Sequence, residues 1–318
     1  MPGPVSLPTF AGMPVAAPTF RPPTLALGAR VALVAPAGPL LGPNDLPRAL
    51  ETARRLGWEP VVGEHALAHA DYFAGDDADR LADLNAALRD PAVDAIWCLR
   101  GGYGAMRLLP HVDWDAMRAR PRALIGYSDI TALHCALAVE VPGLVSYHGP
   151  TARAVLTPFS ERSFLAALRD GGEPCGEAPA ARTLRPGRAT GRLAGGNLAL
   201  LAALAGTRWA PRFDGAIAVI EDVNEATYRI DRMLRQLLLA GCLDGCRAIA
   251  FGHCTACPEE CDDDGRRSLA AVVTEIADAL QVPALLGIPV GHIEDQWTIP
   301  LGAPATVDTE TRTLTLSA

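Results

Sequence analysis

The stretch Leu124–Cys135, LIGYSDITALHC, sets an apolar, strand-like run against a helix-like run, with Ser128 at the join. Strand, tight turn and helix in direct succession form the repeating unit of a parallel α/β sheet. Ser128 itself has two readings. A serine that opens a helix is a preferred N-cap, because its hydroxyl accepts a bond from an otherwise orphaned backbone N–H. A nucleophile also sits on such a turn in the G-x-S-x-G elbow, but here only Gly126 of the two glycines is present and Ile130 stands in place of the second.

The same alternation runs outward from this stretch. RVALVAPAG (Arg30–Gly38) is an apolar run ending in turn residues, followed by a helical pattern from about Asp45 to Leu56 and the short strand PVVG. DDADRLADLNAALRD spaces Leu81, Leu84 and Leu88 for one helix face and stops at Asp90–Pro91. DAIWCLR follows as a strand and ends in the glycine-rich RGGYG, Arg100–Gly104. Binding sites of parallel sheets form at the carboxyl ends of their strands, where both RGGYG and Ser128 lie. Residues 171–187, rich in Gly, Pro and Ala, read as a linker. Beyond them GAIAVIED and RAIAFGH are strands, Ala226–Ala240 and Ser268–Leu280 helices, and ATVDTETRTLTL a terminal hairpin. The expectation is an α/β chain: a flexible arm over residues 1–24, a domain with a mostly parallel sheet over 25–170, the linker, and a smaller α/β domain over 188–318.

Composition narrows the partners. A net charge of −8 disfavours a general binder of nucleic acid or of anionic membrane surfaces, both of which need a basic face. No apolar run approaches the roughly 20 residues that span a bilayer. Prolines interrupt residues 1–24 and no cation precedes Arg21, unlike a secretory leader, so a cytoplasmic location is expected. Eight cysteines in such a chain read as reduced thiols. Five of them, Cys242, Cys246, Cys254, Cys257 and Cys261, cluster around His253 with ligand types that zinc prefers. The spacing lacks a second C-x-x-C pair, and Asp262–Asp264 suggest a solvated loop, so no metal or other cofactor is assigned.

If Ser128 is a nucleophile it needs a base, and that base an orienting acid. His134 lies on the same helix, too far round to reach the serine. His65, His69 and His111 lack a strand-end setting. His148, His253 and His292 each follow an apolar stretch and stay open as candidates. Among acids, Glu221 at the end of AIAVIE stands only slightly ahead of Asp222, with Glu225 nearby. The backbone N–H of Asp129 and those of RGGYG are candidate donors to an oxyanion.

Several motifs together resemble the LD-carboxypeptidase family, the muramoyltetrapeptide carboxypeptidases: YFAGDDADRLADLNAALRDPAVDAIWCLRGGYGAMRLL, IGYSD, GRLAGGNLALLAALAGT, IEDVNEATYRIDRMLRQL and GHIEDQWTIPLGA. The likeness runs from about Arg30 to the C-terminus, leaving out the N-terminal arm. It implies a serine peptidase with Ser128 as nucleophile, Glu221 as acid and His292 as base, and backbone oxyanion donors at Gly102 and Asp129. It further implies a murein tetrapeptide substrate that loses its terminal D-alanine, a frequently dimeric assembly and no metal. Tyr103 and Arg232 are substrate-binding candidates, Arg100, Arg107 and Arg153 being further cations for the substrate carboxylate. The alternative within the family is a microcin-C self-immunity hydrolase acting on peptidyl- or aminoacyl-sulfamoyl adenylates. The alternative outside it is a non-enzymatic zinc- or ligand-binding module. The cysteine-rich loop belongs to none of these motifs.

Overall fold

A computed structural model describes residues 18–257 and 267–317. The first half builds a sheet from β1 (Arg30–Val34), β2 (Glu59–Val62), β3 (Ala95–Cys98), β4 (Ala123–Gly126) and β5 (Ser146–His148). These five strands are all parallel, in the order β5-β4-β3-β1-β2. The connections carry α1 (Asp45–Arg55), α2 (Asp77–Arg89), α3 (Ala105–Leu108), α4 (Trp114–Ala119) and α5 (Thr131–Glu140). α2 shows how local sequence sets an element. The Asp76 carboxylate caps it by accepting from the Asp79 N–H at 2.9 Å, Leu84 and Leu88 bury its inner face, and Asp90–Pro91 ends it.

The second half contributes α6 (Pro158–Leu165), β6 (Gly176–Glu177), β7 (Arg182–Arg185), β8 (Arg188–Asn197), α7 (Leu198–Leu204), β9 (Ala216–Val223), α8 (Thr227–Leu239), β10 (Ala248–Thr255), α9 (Leu269–Leu280), β11 (Ala284–Leu286), β12 (Ile299–Leu301), β13 (Pro304–Asp308) and β14 (Thr313–Leu316). Its sheet has the order β6-β14-β13-β8-β9-β10-β11-β7, with β8 to β11 parallel and the flanking strands antiparallel. The α/β architecture expected from the alternation is the one observed.

Three features depart from the sequence reading. The stretch 171–187 is not irregular throughout, because β6 and β7 lie within it and form the two edges of the second sheet. Residues 18–24 are held in place: Phe20 donates its N–H to Gly143 and accepts from Val145, at 2.9 and 3.0 Å. The arm before residue 18, and Cys261 with Asp262–Asp264, lie outside the described residues. Third, β12 leaves the second half and pairs antiparallel with β5, so the first sheet is completed from the far end of the chain.

The packing joins the halves as well. Leu133 and Leu137 of α5 share one apolar cluster with Leu198 and Leu201 of α7, Ile230 and Leu234 of α8, and Val273 and Ile276 of α9. Removing any one of the leucine or isoleucine side chains to alanine costs about 2–5 kcal/mol if the site cannot collapse. Among the described residues no helix is long and apolar enough to cross a membrane. The carboxyl ends of β4 and β9 and the segment after β11 bring the candidate residues to the boundary between the two sheets.

Candidate active site

Ser128 has φ +64°, in the left-handed region that a non-glycine residue adopts at a cost of about 1–3 kcal/mol. A capping serine would instead be extended, and no side-chain cap bond is made at this helix start. The residue before it, Tyr127, is extended at φ −145°, so the chain reverses sharply at the serine. A positive φ at a strand-to-helix turn is the backbone that a nucleophile elbow uses, here without the second glycine. The space around it comes from elsewhere: a Cβ on Gly101 would lie 2.8 Å from Ser128 Cβ and 3.0 Å from its Oγ, which only glycine avoids. Gly102 has φ +104°, and a Cβ there would stand 2.9 Å from Gly38 Cα. The loop is pinned by the Gly38 N–H donating to the Gly101 carbonyl at 2.9 Å. Among the described residues the Gly102 and Asp129 N–H groups have no backbone acceptor, leaving two donors beside the serine.

β9 separates the two acids that sequence spacing left almost tied. Successive strand residues face opposite sides. Glu221, fully buried, accepts from His292 Nδ1 at 2.8 Å. Asp222 turns the other way, accepting from Asn197 Nδ2 at 3.0 Å and the Ala199 N–H at 3.1 Å, and so fixes the start of α7. Burial pushes the Asp222 carboxyl up to about 6. Gly291, at φ +127°, brings His292 close: a Cβ there would sit 3.3 Å from Glu221 Oε2. The Nδ1–H donation to a carboxylate leaves His292 Nε2 as the basic nitrogen. The His292 ring lies 4.8 Å from that of Tyr127, the serine's immediate neighbour. Among the described residues Ser128 Oγ and His292 make no direct hydrogen bond, a contact that in free enzymes often tightens only with substrate.

The other histidines have separate surroundings. His134 is buried between Ser146 Oγ at 2.8 Å and the Gly126 carbonyl at 2.9 Å, and burial lowers its pKa to about 4. His148 is buried on β5 behind Tyr127, its pKa lowered to about 3 by burial and then by His134 and His292. His253 is exposed at the end of β10. His65 pairs with Asp83 at 2.9 Å.

Two further candidates are dispersed. Tyr103 is half exposed and packs on Tyr72 and Phe73, with ring centres 5.6 and 5.7 Å apart, at the rim of the glycine-rich loop. Arg232 stacks over Tyr228 at 5.3 Å on the exposed side of α8. One role escaped the sequence. The Asp129 carboxylate, buried, accepts from the Ala105 N–H at 2.8 Å and from the Gly104 N–H, clamping the glycine-rich loop against the elbow. An aspartate directly after a strand-end serine and a glycine loop opening a helix are the only hints of it. Among the described residues no group of three His, Cys, Asp or Glu side chains could hold a metal ion.

Comparison with known proteins gives the site its context. Residues 31–149 match the profile of the LD-carboxypeptidase N-terminal domain and 190–307 that of the C-terminal domain. A Streptomyces coelicolor protein named as a carboxypeptidase is 43% identical over 93% of this chain and 96% of its own length. The murein tetrapeptide carboxypeptidase of Pseudomonas aeruginosa is 36% identical over 88% of this chain and 93% of its own. The structure of the microcin C7 self-immunity protein MccF of Escherichia coli, in complex with glutamyl sulfamoyl guanosine, superposes with a TM-score of 0.83 at 25% identity, covering 96% of this chain and 99% of that one.

Proposed function

Since the chain belongs to the LD-carboxypeptidase family, we propose that it is a serine carboxypeptidase that removes the terminal D-alanine from murein tetrapeptides. The observation that carries this reading is the strained turn at Ser128 facing a glycine-rich loop, in a molecule that also pairs the buried Glu221 with a partly exposed His292 next to Tyr127. In this mechanism His292 Nε2 takes the Ser128 Oγ proton as the oxygen attacks the scissile carbonyl carbon. The Gly102 and Asp129 N–H groups meet the oxyanion that forms. Collapse of the adduct breaks the C–N bond, and His292 gives its proton to the departing D-alanine nitrogen. Water then attacks the acyl-serine, again deprotonated by His292, and releases the shortened peptide. Glu221 holds the imidazole in the required tautomer and stabilises it when charged. Its burial makes that interaction stronger than it would be in water.

The same reading places the enzyme in cytoplasmic cell-wall recycling and as a homodimer, with no nucleic-acid or membrane partner. The likeness to MccF supports the second reading, a hydrolase of aminoacyl-sulfamoyl nucleosides. Mass spectrometry of the products from a tetrapeptide, a pentapeptide, an LL-dipeptide and an aminoacyl-sulfamoyl adenosine separates the two. D-Alanine release from the tetrapeptide, lost in Ser128→Ala, is the expected result. Release undiminished in Ser128→Ala would end the serine mechanism, and cleavage of the sulfamoyl substrate alone would favour the second reading. Sedimentation analysis of the purified protein tests the dimer.

A further inference from the structure

Arg48 and Arg153 meet at Asp45, and Arg100 lies under the glycine-rich loop. Arg48 and Arg153 each approach Asp45 at 3.5 Å, at the outer limit of an ion pair. Arg48 also donates to the Arg153 carbonyl at 3.1 Å, so the two chains are neighbours. Arg100, half-buried, donates to the Pro39 carbonyl at 2.6 Å and forms no ion pair among the described residues. It lies under the loop: a Cβ on Gly102 would be 3.7 Å from its guanidinium carbon. The Arg153 N–H donates to the Leu99 carbonyl at 3.4 Å, which places Arg153 next to Arg100 in the fold. The Arg153 Nε is buried without a partner. Three guanidinium groups against one carboxylate, partly withdrawn from water, are costly to keep together without an anion to bridge them. The planar fork of arginine fits a carboxylate bidentately. By contrast Arg107 is neutralised by Asp77 at 2.7 Å, and Arg232 lies on the outer side of α8.

We infer that Arg100 and Arg153 form an anion subsite for the C-terminal carboxylate of the peptide substrate, with Arg48 and Asp45 holding Arg153 in place. This rests on the carboxypeptidase reading and deepens it, since an exopeptidase must recognise a free carboxylate one residue beyond the bond it cuts. Arg100 sits beside Gly102, whose N–H is assigned to the oxyanion of that bond. Ala154, next to Arg153 in the chain, lines the cleft that also holds Tyr127, Pro150 and His292.

The test compares a tetrapeptide ending in D-alanine with the same peptide ending in D-alaninamide. For the wild type, kcat/KM for the free acid exceeds that for the amide by at least about thirtyfold, the order expected when a buried charge loses its partner. In Arg153→Met this ratio collapses toward one, and Arg153→Lys restores part of it. Binding of both peptides to Ser128→Ala, measured by calorimetry, shows the same preference for the acid. A ratio that stays at the wild-type value in Arg153→Met, or an equal loss for both peptides, overturns the subsite. If the wild type releases no D-alanine from the free acid, the carboxypeptidase reading itself fails, a result distinct from release with an unaltered ratio.

Discussion

Holding a serine at φ +64° costs the fold free energy that a glycine would not demand. Ser128→Gly therefore gives a protein more stable than Ser128→Ala by about 1 kcal/mol, because alanine keeps the Cβ and the strain, although the greater freedom of glycine in the unfolded chain offsets part of the gain. Both variants are expected to lose activity, since neither carries the hydroxyl. Urea unfolding of the pair measures the difference, and an alanine variant as stable as the glycine one would mean that the turn is unstrained. Glu221 and Asp222 provide the complementary contrast. Glu221→Gln leaves the fold intact and lowers kcat by roughly 10²–10⁴, since the amide no longer enforces the tautomer or stabilises the charged imidazole. Asp222→Ala removes the acceptor of Asn197 and of the α7 start, and costs about 1–3 kcal/mol of stability. Thermal melts beside steady-state kinetics separate the two. A reversal, with Asp222→Ala fully stable but inactive, would exchange their roles.

At the scale of elements, the elbow and the glycine-rich loop are joined by one buried carboxylate. Burial raises Asp129 from its ordinary value to about 6, against the hydrogen bonds from the Ala105 and Gly104 N–H groups. The folded protein therefore keeps this proton to higher pH than the unfolded chain, which releases it near 4. Between pH 4 and 6 the unfolded state binds fewer protons, so this group's contribution to stability falls as pH rises and is constant above about pH 7. Relative to Asp129→Asn, the wild type loses up to about 3 kcal/mol of stability across that window, read by urea unfolding at several pH values. A wild type that instead gains on the variant as pH rises would show the carboxylate to be stabilised by its donors beyond its desolvation cost. Elements of this kind mark what the residues alone disclose. β1, β3, β4 and β9 were legible as unbroken apolar stretches ended by turn residues, and α2 by its leucine spacing. β6, β7 and β12 were not, being two to four residues long, set among Gly and Pro or Pro-flanked, and defined by pairing with distant strands. Ser128, Glu221 and His292 were singled out through their family motifs, not through spacing. The φ of Ser128 and the clamp made by Asp129 depend on three-dimensional closure that no local period encodes.

Over the whole molecule, the two halves depend on one another through backbone and core. β12 closes the edge of the first sheet by pairing Ile299 with His148 and Leu301 with Ser146. The apolar face of α5 is covered by α7, in the other half. The Thr131 hydroxyl accepts from the Asn197 N–H at 2.9 Å, three residues after the serine, which ties the elbow directly to the strand beside the one bearing Glu221. A chain cut at residue 170 would keep the parallel sheet but expose β5 as an open edge and leave Leu133 and Leu137 without their partners. The full chain is accordingly expected to unfold in one cooperative transition, with calorimetric and van't Hoff enthalpies equal. The excised segment 18–170 is expected to aggregate or to lose its near-ultraviolet dichroism. Two resolved calorimetric transitions in the full chain, with a soluble and natively packed excised segment, would show that the half bearing Ser128 folds on its own. In that case the shared core would be an interface between independent domains, and the position of His292 relative to Ser128 would be free to change as that interface opens.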